Sequence, residues 1–277
     1  MLDYEVVDVF TDVPFAGNPL AVVLGADDLG TAALQAIANE FNLSETAFPM
    51  AVTPAEYRLR IFTPEVELPF AGHPSVGAAW VLARRGLVQP GPVVQVCGAG
   101  RLALEVDPSL VTLTGGVPTV SAPLPAGPVL RAVGLAGRDL IGVEPRTCGT
   151  GLDWTFLLVR SDALERCAPD TSALRAVGGA GVSVFSWDGE AAHARVFAGG
   201  VGVAEDPATG SAALGLGVYL VETGLLPHGG PYTVRQGLEM GRPSRLECAV
   251  VAREGHAVSV QVGGSVVPVA TGQIREP

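Results

Sequence analysis

Along the chain, short apolar runs alternate with turns rich in Gly and Pro. In the first half the runs Tyr4–Phe10, Leu20–Leu24, Ala47–Val52, Tyr57–Phe62, Val93–Val96 and Leu102–Val106 are of strand length. They predict β-strands punctuated by turns. Two helices are predicted among them, a polar-faced one at Asp28–Phe41 and one at Pro74–Arg85 that is apolar on nearly every side. The second half repeats the plan with helices at Ser172–Val177 and Ser211–Glu222 and a strand at Tyr232–Val234. A helix without a polar face has nothing to offer water, so the second helix of each half belongs inside its domain, wrapped by sheet. Its many small residues let strands approach closely.

The halves also align residue by residue. Residues 69–91 read PFAGHPSVGAAWVLARRGLVQPG, and residues 207–229 read PATGSAALGLGVYLVETGLLPHG. Pro69, Gly72, Gly77, Gly86, Leu87 and Gly91 match Pro207, Gly210, Gly215, Gly224, Leu225 and Gly229, always 138 positions apart. Upstream, Arg60-Ile61-Phe62 and Arg195-Val196-Phe197 share an R-x-F pattern. A fixed offset of half the chain reads as an internal duplication. The Pro-rich stretch Val117–Val129 reads as an extended crossover between the halves. The boundary is expected near residue 118, giving domains 1–118 and 119–277, with the last strand free to pack on the N-terminal domain.

Composition narrows the chemistry. The 277 residues are 48% hydrophobic and 16% charged, the signature of a compact globular chain. No apolar run approaches the roughly 18 residues of a membrane span. The opening MLDYEVVDVF lacks the basic and apolar regions of a secretory signal, so a cytoplasmic protein with no membrane partner is expected. A net charge of −11 argues against binding nucleic acid. Cys97, Cys148, Cys167 and Cys248 are scattered, which favours free buried thiols over disulfides or zinc. His193, His228 and His256 show no metal-ligand spacing. There is no lysine; all 17 basic residues are Arg. Schiff-base chemistry with pyridoxal phosphate and a GxxxxGK[ST] phosphate loop are therefore excluded. No cofactor and no metal are expected.

Both core helices begin at the repeated glycine turn, Ala71-Gly72-His73-Pro74 and Thr209-Gly210-Ser211-Ala212. A helix start offers unpaired N–H groups and the positive end of the dipole to an anion. Two such starts related by a pseudo-two-fold would face each other across an interdomain cleft. There they would clamp a carboxylate and stabilise the charge left when a C–H proton departs. Asp206, His73 and Ser211 stand beside these turns. The candidate base is Glu45, flanked by Leu43, Ala47 and Phe48; an apolar setting would raise its pKa toward a useful range. Each has a blander reading: Glu45 as a solvated loop residue, Asp206 as a turn or N-cap residue, His73 as a structural histidine. The residues alone lead only as far as a small acid bound in a cleft.

Taken together, the segments DVFTDVPFAGNPLAVV, NLSETAFP, RIFTPEVELPFAGHPSVGAAWVL, RVFAGGVGVAEDPATGSAALGLGVYL, GRPSRLE and VGGSVVPVATG resemble the PhzF (phenazine-biosynthesis) family over essentially the whole chain. The resemblance implies an α+β, duplicated diaminopimelate-epimerase-like fold: two similar domains, each a rolled, mostly antiparallel sheet around a central helix. It implies an isomerase without a cofactor, usually a homodimer, acting on a small carboxylic acid. Glu45 would shuttle a proton between carbons, with His73, Asp206 and Ser211 positioning the substrate or assisting proton transfer. Asn18, Ser44, Gly72, Gly210 and Ser211 would line the pocket. Gly199 stands where the family often has Pro, a departure confined to a loop.

Two rivals stay open. A two-base epimerase of the same fold would place a Cys on each face of the reacting carbon. Cys148-Gly149-Thr150-Gly151 looks like such a turn, but the following Leu152–Val159 reads as a strand instead of a helix, which makes Cys148 structural. The other rival is a small-acid binding protein without turnover, against which the carboxylate of Glu45 counts.

Overall fold

The computed structural model describes residues 1–199 and 203–277. Gly200, Val201 and Gly202 of the second-half motif lie outside the described residues. The chain runs β1 (Leu2–Val9), β2 (Asn18–Val23), α1 (Thr31–Phe41), β3 (Glu45–Met50), β4 (Glu56–Phe62), β5 (Glu67–Leu68), α2 (Gly72–Arg84), β6 (Gly91–Cys97), β7 (Gly100–Val106) and β8 (Val111–Thr114). There follow β9 (Thr119–Val120), α3 (Ala126–Ala132), β10 (Arg146–Gly149), β11 (Asp153–Leu158), α4 (Thr171–Val177), β12 (Val182–Trp187), β13 (Ala191–Phe197) and α5 (Gly210–Glu222). It ends with β14 (Gly229–Gln236), β15 (Ser244–Arg253), β16 (His256–Gly264) and β17 (Val266–Ile274). One compact unit comprises residues 1–114 and 263–277, the other residues 115–262.

In the first unit β1 pairs antiparallel with β17 and β2. From β2 the ladder continues parallel to β3, antiparallel to β4, parallel to β6 and antiparallel to β7 and β8. In the second unit β10 pairs antiparallel with β9 and β11, then β12 is parallel, β13 antiparallel, β14 parallel and β15 antiparallel. The same alternation runs from β1 to β7 and from β10 to β15. Parallel neighbours need a crossover, and each crossover carries a helix: α1 and α2 in the first unit, α4 and α5 in the second.

The two central helices are both 13 residues long and start at the repeated glycines, Gly72 and Gly210. Ten residues of α2 and twelve of α5 are buried, so neither has a solvent face. Within its unit α2 packs on β1, β2, β3, β7 and β8, while α5 packs on β9, β10, β11, β14 and β15. The repeated glycine within each helix makes this close approach possible. A Cβ on Gly77 would stand 2.5 Å from Leu20 Cδ2, and one on Gly215 would stand 2.9 Å from the Cys148 carbonyl oxygen.

Several boundaries differ from the sequence reading. Helix α1 starts at Thr31, because Leu29 closes a turn onto Ala26 and Gly30 is extended as N-cap. Helix α2 starts two residues before Pro74, which is tolerated in a first helical turn whose N–H groups are unpaired anyway. The Pro-rich stretch expected as a bare connector holds β9 and the start of α3. Pro128 falls in the first turn of α3, and Val129, Leu130 and Ala132 are buried, so apolar burial outweighs the local Pro content. All four cysteines are free; Cys148, Cys167 and Cys248 are buried, but Cys97 is partly exposed at a hairpin end. No helix among the described residues is long and apolar enough to cross a membrane.

Candidate active site

In the first unit, two local devices deliver the predicted residues. The loop between β1 and β2 carries three left-handed residues, Phe10 (φ 65°), Phe15 (φ 68°) and Gly17 (φ 63°). Such angles are strained for a bulky residue. The Asp8 carboxylate holds the loop by accepting the Phe15 N–H at 2.7 Å. A Cβ on Gly17 would meet the Val9 carbonyl at 2.4 Å, so only glycine turns the chain here into Asn18. The other device is Asn42, a left-handed C-cap of α1 (φ 49°) whose N–H bonds the Ala38 carbonyl. It reverses the chain so that Ser44 leads into β3, which opens at Glu45 beside β2 with Leu20 opposite Glu45.

These residues meet at the start of α2. Asn18 Nδ2 lies 3.2 Å from His73 Nδ1, and the Ser44 hydroxyl donates to Asn18 Oδ1 at 3.0 Å. His73 Nε2 lies 3.5 Å from Glu45 Oε2, with the two side chains 4% and 13% exposed. Burial pushes the His73 imidazole down to about 3, so the ring is neutral at pH 7. The first unit thus brings together Asn18, Ser44, Glu45 and His73 around the Gly72 turn.

In the second unit Asp206 does not cap α5; Thr209 is the N-cap, and its side chain makes no capping bond. Instead the Thr209 hydroxyl donates to Asp206 Oδ2 at 2.5 Å. Gln236, buried at the end of β14, ties the turn together: its amide donates to the Asp206 carbonyl at 2.7 Å and to Thr209 Oγ1 at 3.0 Å, and accepts the Thr209 N–H at 3.2 Å. The Trp154 indole donates to Ser211 Oγ at 3.1 Å. Asp206, Gly210 and Ser211 therefore share one buried hydrogen-bonded turn. Thr209, Gln236 and Trp154 were not singled out from the sequence. Thr209 lay inside the quoted EDPATGS motif, whereas nothing local marks Gln236 or Trp154.

The R-x-F pattern explains how both turns are held. Arg60 grips Glu67 through two 2.7 Å bonds, and Arg195 grips Glu205 through two 2.8 Å bonds. Each guanidinium also lies 5.1 Å over the Phe two positions on, Phe62 or Phe197. Glu67 and Glu205 stand two residues before the matched Pro69 and Pro207, so each fork anchors the strap leading into a glycine turn. Cys148 is fully buried in β10, and burial pushes its thiol up to about 12. It is followed by strand β11, as its sequence context implied, and its thiol is far from the thiolate a base requires.

Comparison with known proteins agrees with this architecture. Residues 7–272 match the model of the PhzC-PhzF family, described as phenazine biosynthesis-like protein. The trans-2,3-dihydro-3-hydroxyanthranilate isomerase of Pseudomonas fluorescens is 33% identical, with 99% of each chain covered. A crystal structure of the Bacillus anthracis phenazine biosynthesis protein of the PhzF family superposes with a TM-score of 0.87 at 24% identity, covering 99% of both chains. A probable proline racemase from Agrobacterium radiobacter K84, 15% identical with a TM-score of 0.64, covers 99% of this chain and 93% of its own. That likeness is one of fold. With residues 7–272 matched by the family model and several relatives of 32–33% identity named isomerases, the chain belongs to the phenazine biosynthesis-like PhzC-PhzF family and is an isomerase.

Proposed function

We propose that the protein isomerises a small unsaturated carboxylic acid without a cofactor, Glu45 carrying a proton from one carbon to another. The observation that carries this reading is the pairing of the nearly buried Glu45 carboxylate with a neutral His73 3.5 Å away. A general base must be poised in a dry setting beside a group that does not compete for its proton. A neutral imidazole meets that need.

In the proposed reaction the Glu45 carboxylate takes a proton from a C–H bond. The bonding pair delocalises into the adjoining unsaturated system and the double bond shifts. The resulting carboxylic acid of Glu45 then returns the proton to a different carbon. No electrons leave the substrate, so no oxidant or reductant is needed. The acid group is held at a glycine turn that starts a central helix, where helix N–H groups favour an anion. His73, Asp206 and Ser211 hold the substrate and offset the charge that develops.

The relative from Pseudomonas fluorescens is named for trans-2,3-dihydro-3-hydroxyanthranilate, and a cyclic unsaturated amino acid of that class is the proposed substrate type. Incubating the purified chain with that acid in deuterated water, followed by proton NMR, tests the reading. Growth of a shifted-alkene product is expected, its receiving carbon carrying the transferred hydrogen, or deuterium where the Glu45 acid exchanges with solvent before returning it. If this acid and related unsaturated acids showed neither product nor exchange, the proposal would fail. The homodimer is likewise proposed, and light scattering in solution tests it.

A further inference from the structure

His73 and Ser211 occupy the same place in their helices, one residue after the starting glycine. Both are buried, with 3% and 4% exposure. In each unit a side chain from near the start of a strand reaches them. Asn18 is the first residue of β2, and Trp154 is the second residue of β11.

Toward His73 the donor is the Asn18 amide nitrogen, 3.2 Å from Nδ1. An amide nitrogen can only donate, so Nδ1 must accept and the single proton of the neutral ring sits on Nε2. On its other side the Ser44 hydroxyl donates to the Asn18 amide oxygen at 3.0 Å. Its oxygen end faces Ser44 and its nitrogen end faces His73. Toward Ser211 the donor is the Trp154 indole N–H, at 3.1 Å. Indole has no acceptor, so Ser211 receives from Trp154 and keeps its own hydroxyl proton. Among the described residues Ser211 Oγ has no other hydrogen bond.

Different residue types thus reach one electrical result in the two units. The one acceptor nitrogen of His73 is taken, and Ser211 has one of its two lone pairs taken while its own proton stays available. We propose that Asn18 and Trp154 are positioning residues: Asn18 leaves His73 only an N–H to offer an anion at the Gly72 turn, and Trp154 leaves Ser211 its hydroxyl proton to offer an anion at the Gly210 turn. This rests on the isomerase reading above, and it gives Asn18 a task other than lining the pocket. An Nδ1–H tautomer would turn a lone pair toward negative charge, and a hydroxyl released from Trp154 could spend its proton elsewhere.

The first test needs no substrate, so it stands apart from the isomerase reading. Nitrogen-15 NMR of the histidine-labelled full chain, with His73 assigned by its loss in His73→Gln, reports the tautomer. A pyrrole-like Nε2 and a pyridine-like Nδ1 are expected. Asn18→Asp, which puts an acceptor of the same shape in place of the donor, is expected to exchange the two signatures or protonate the ring. An Nδ1–H ring in the wild type, or an unchanged pattern in Asn18→Asp, would overturn the proposal. For Trp154, β-(3-benzothienyl)alanine keeps the ring shape and replaces the N–H by sulfur, which separates the lost donor from lost packing. For the acid that the wild type turns over, KM is expected to rise about tenfold or more while kcat falls less. An unchanged KM would overturn the role of Trp154.

Discussion

His73 Nε2 stands 3.5 Å from Glu45 Oε2, a neutral ring against a nearly buried carboxylate at the start of α2. Keeping the ring neutral has a cost that pH exposes. Burial holds His73 at about 3 in the folded chain, against 6.5 in an open one. Between those values the unfolded chain takes up a proton that the folded chain refuses, so stability rises with pH across that window. The contribution is complete above about 6.5 and is lost as pH falls toward 3. His73→Gln removes the linkage. In urea unfolding, the stability difference between wild type and variant is expected to shrink by roughly 2–3 kcal/mol between about pH 7 and pH 4.5. A difference that stayed constant would mean that folding does not suppress this protonation.

The Arg195–Glu205 fork is mostly shielded, with side chains 11% and 18% exposed, whereas Arg160–Asp162 is open at 61% and 56%. Removing one partner of a shielded pair strands the other. Arg195→Met is expected to lower unfolding free energy by about 1–3 kcal/mol, with Arg160→Met within about 0.5. Denaturant midpoints of the two variants check the ordering. Equal effects would show that the fork is not a structural anchor of the strap before Asp206.

Matched glycines in the two central helices should differ in tolerance. A Cβ on Gly215 meets the Cys148 carbonyl, part of the β10 ladder, while one on Gly77 meets the ends of the Leu20 and Val9 side chains. Side-chain ends can rotate; a paired carbonyl cannot. Gly215→Ala is expected to cost about 1–3 kcal/mol. Gly77→Ala is expected to cost less, since about 1 kcal/mol of helix propensity offsets the crowding. Thermal unfolding of both variants measures the gap, and a costlier Gly77→Ala would contradict the packing described.

Most strands and both central helices were legible in the sequence, because apolar periodicity and glycine turns are local signals. What escaped was set at a distance. The Pro-rich segment after Val117 became β9 and part of α3 because Cys148 and Gly149 offer a pairing edge and a core accepts Val129 and Leu130. Nothing around Trp154 marks it as more than a strand residue, since its partner Ser211 lies 57 positions on. Glu45 alone reads like any loop glutamate. Its burial depends on Asn42 turning α1 back into β3, and on His73 arriving from another helix.

The central claim concerns the proton that Glu45 moves. Glu45→Gln keeps size and hydrogen-bonding shape but removes the base, and Glu45→Asp keeps the base on a shorter arm. The rate of double-bond shift in the unsaturated acid, followed by NMR for wild type and both variants, reads that step directly. Glu45→Gln is expected to lose at least about a thousandfold of the isomerisation rate, within the range for a lost general base, with Glu45→Asp retaining a measurable fraction. Isomerisation by folded Glu45→Gln at a rate near that of the wild type would contradict the account.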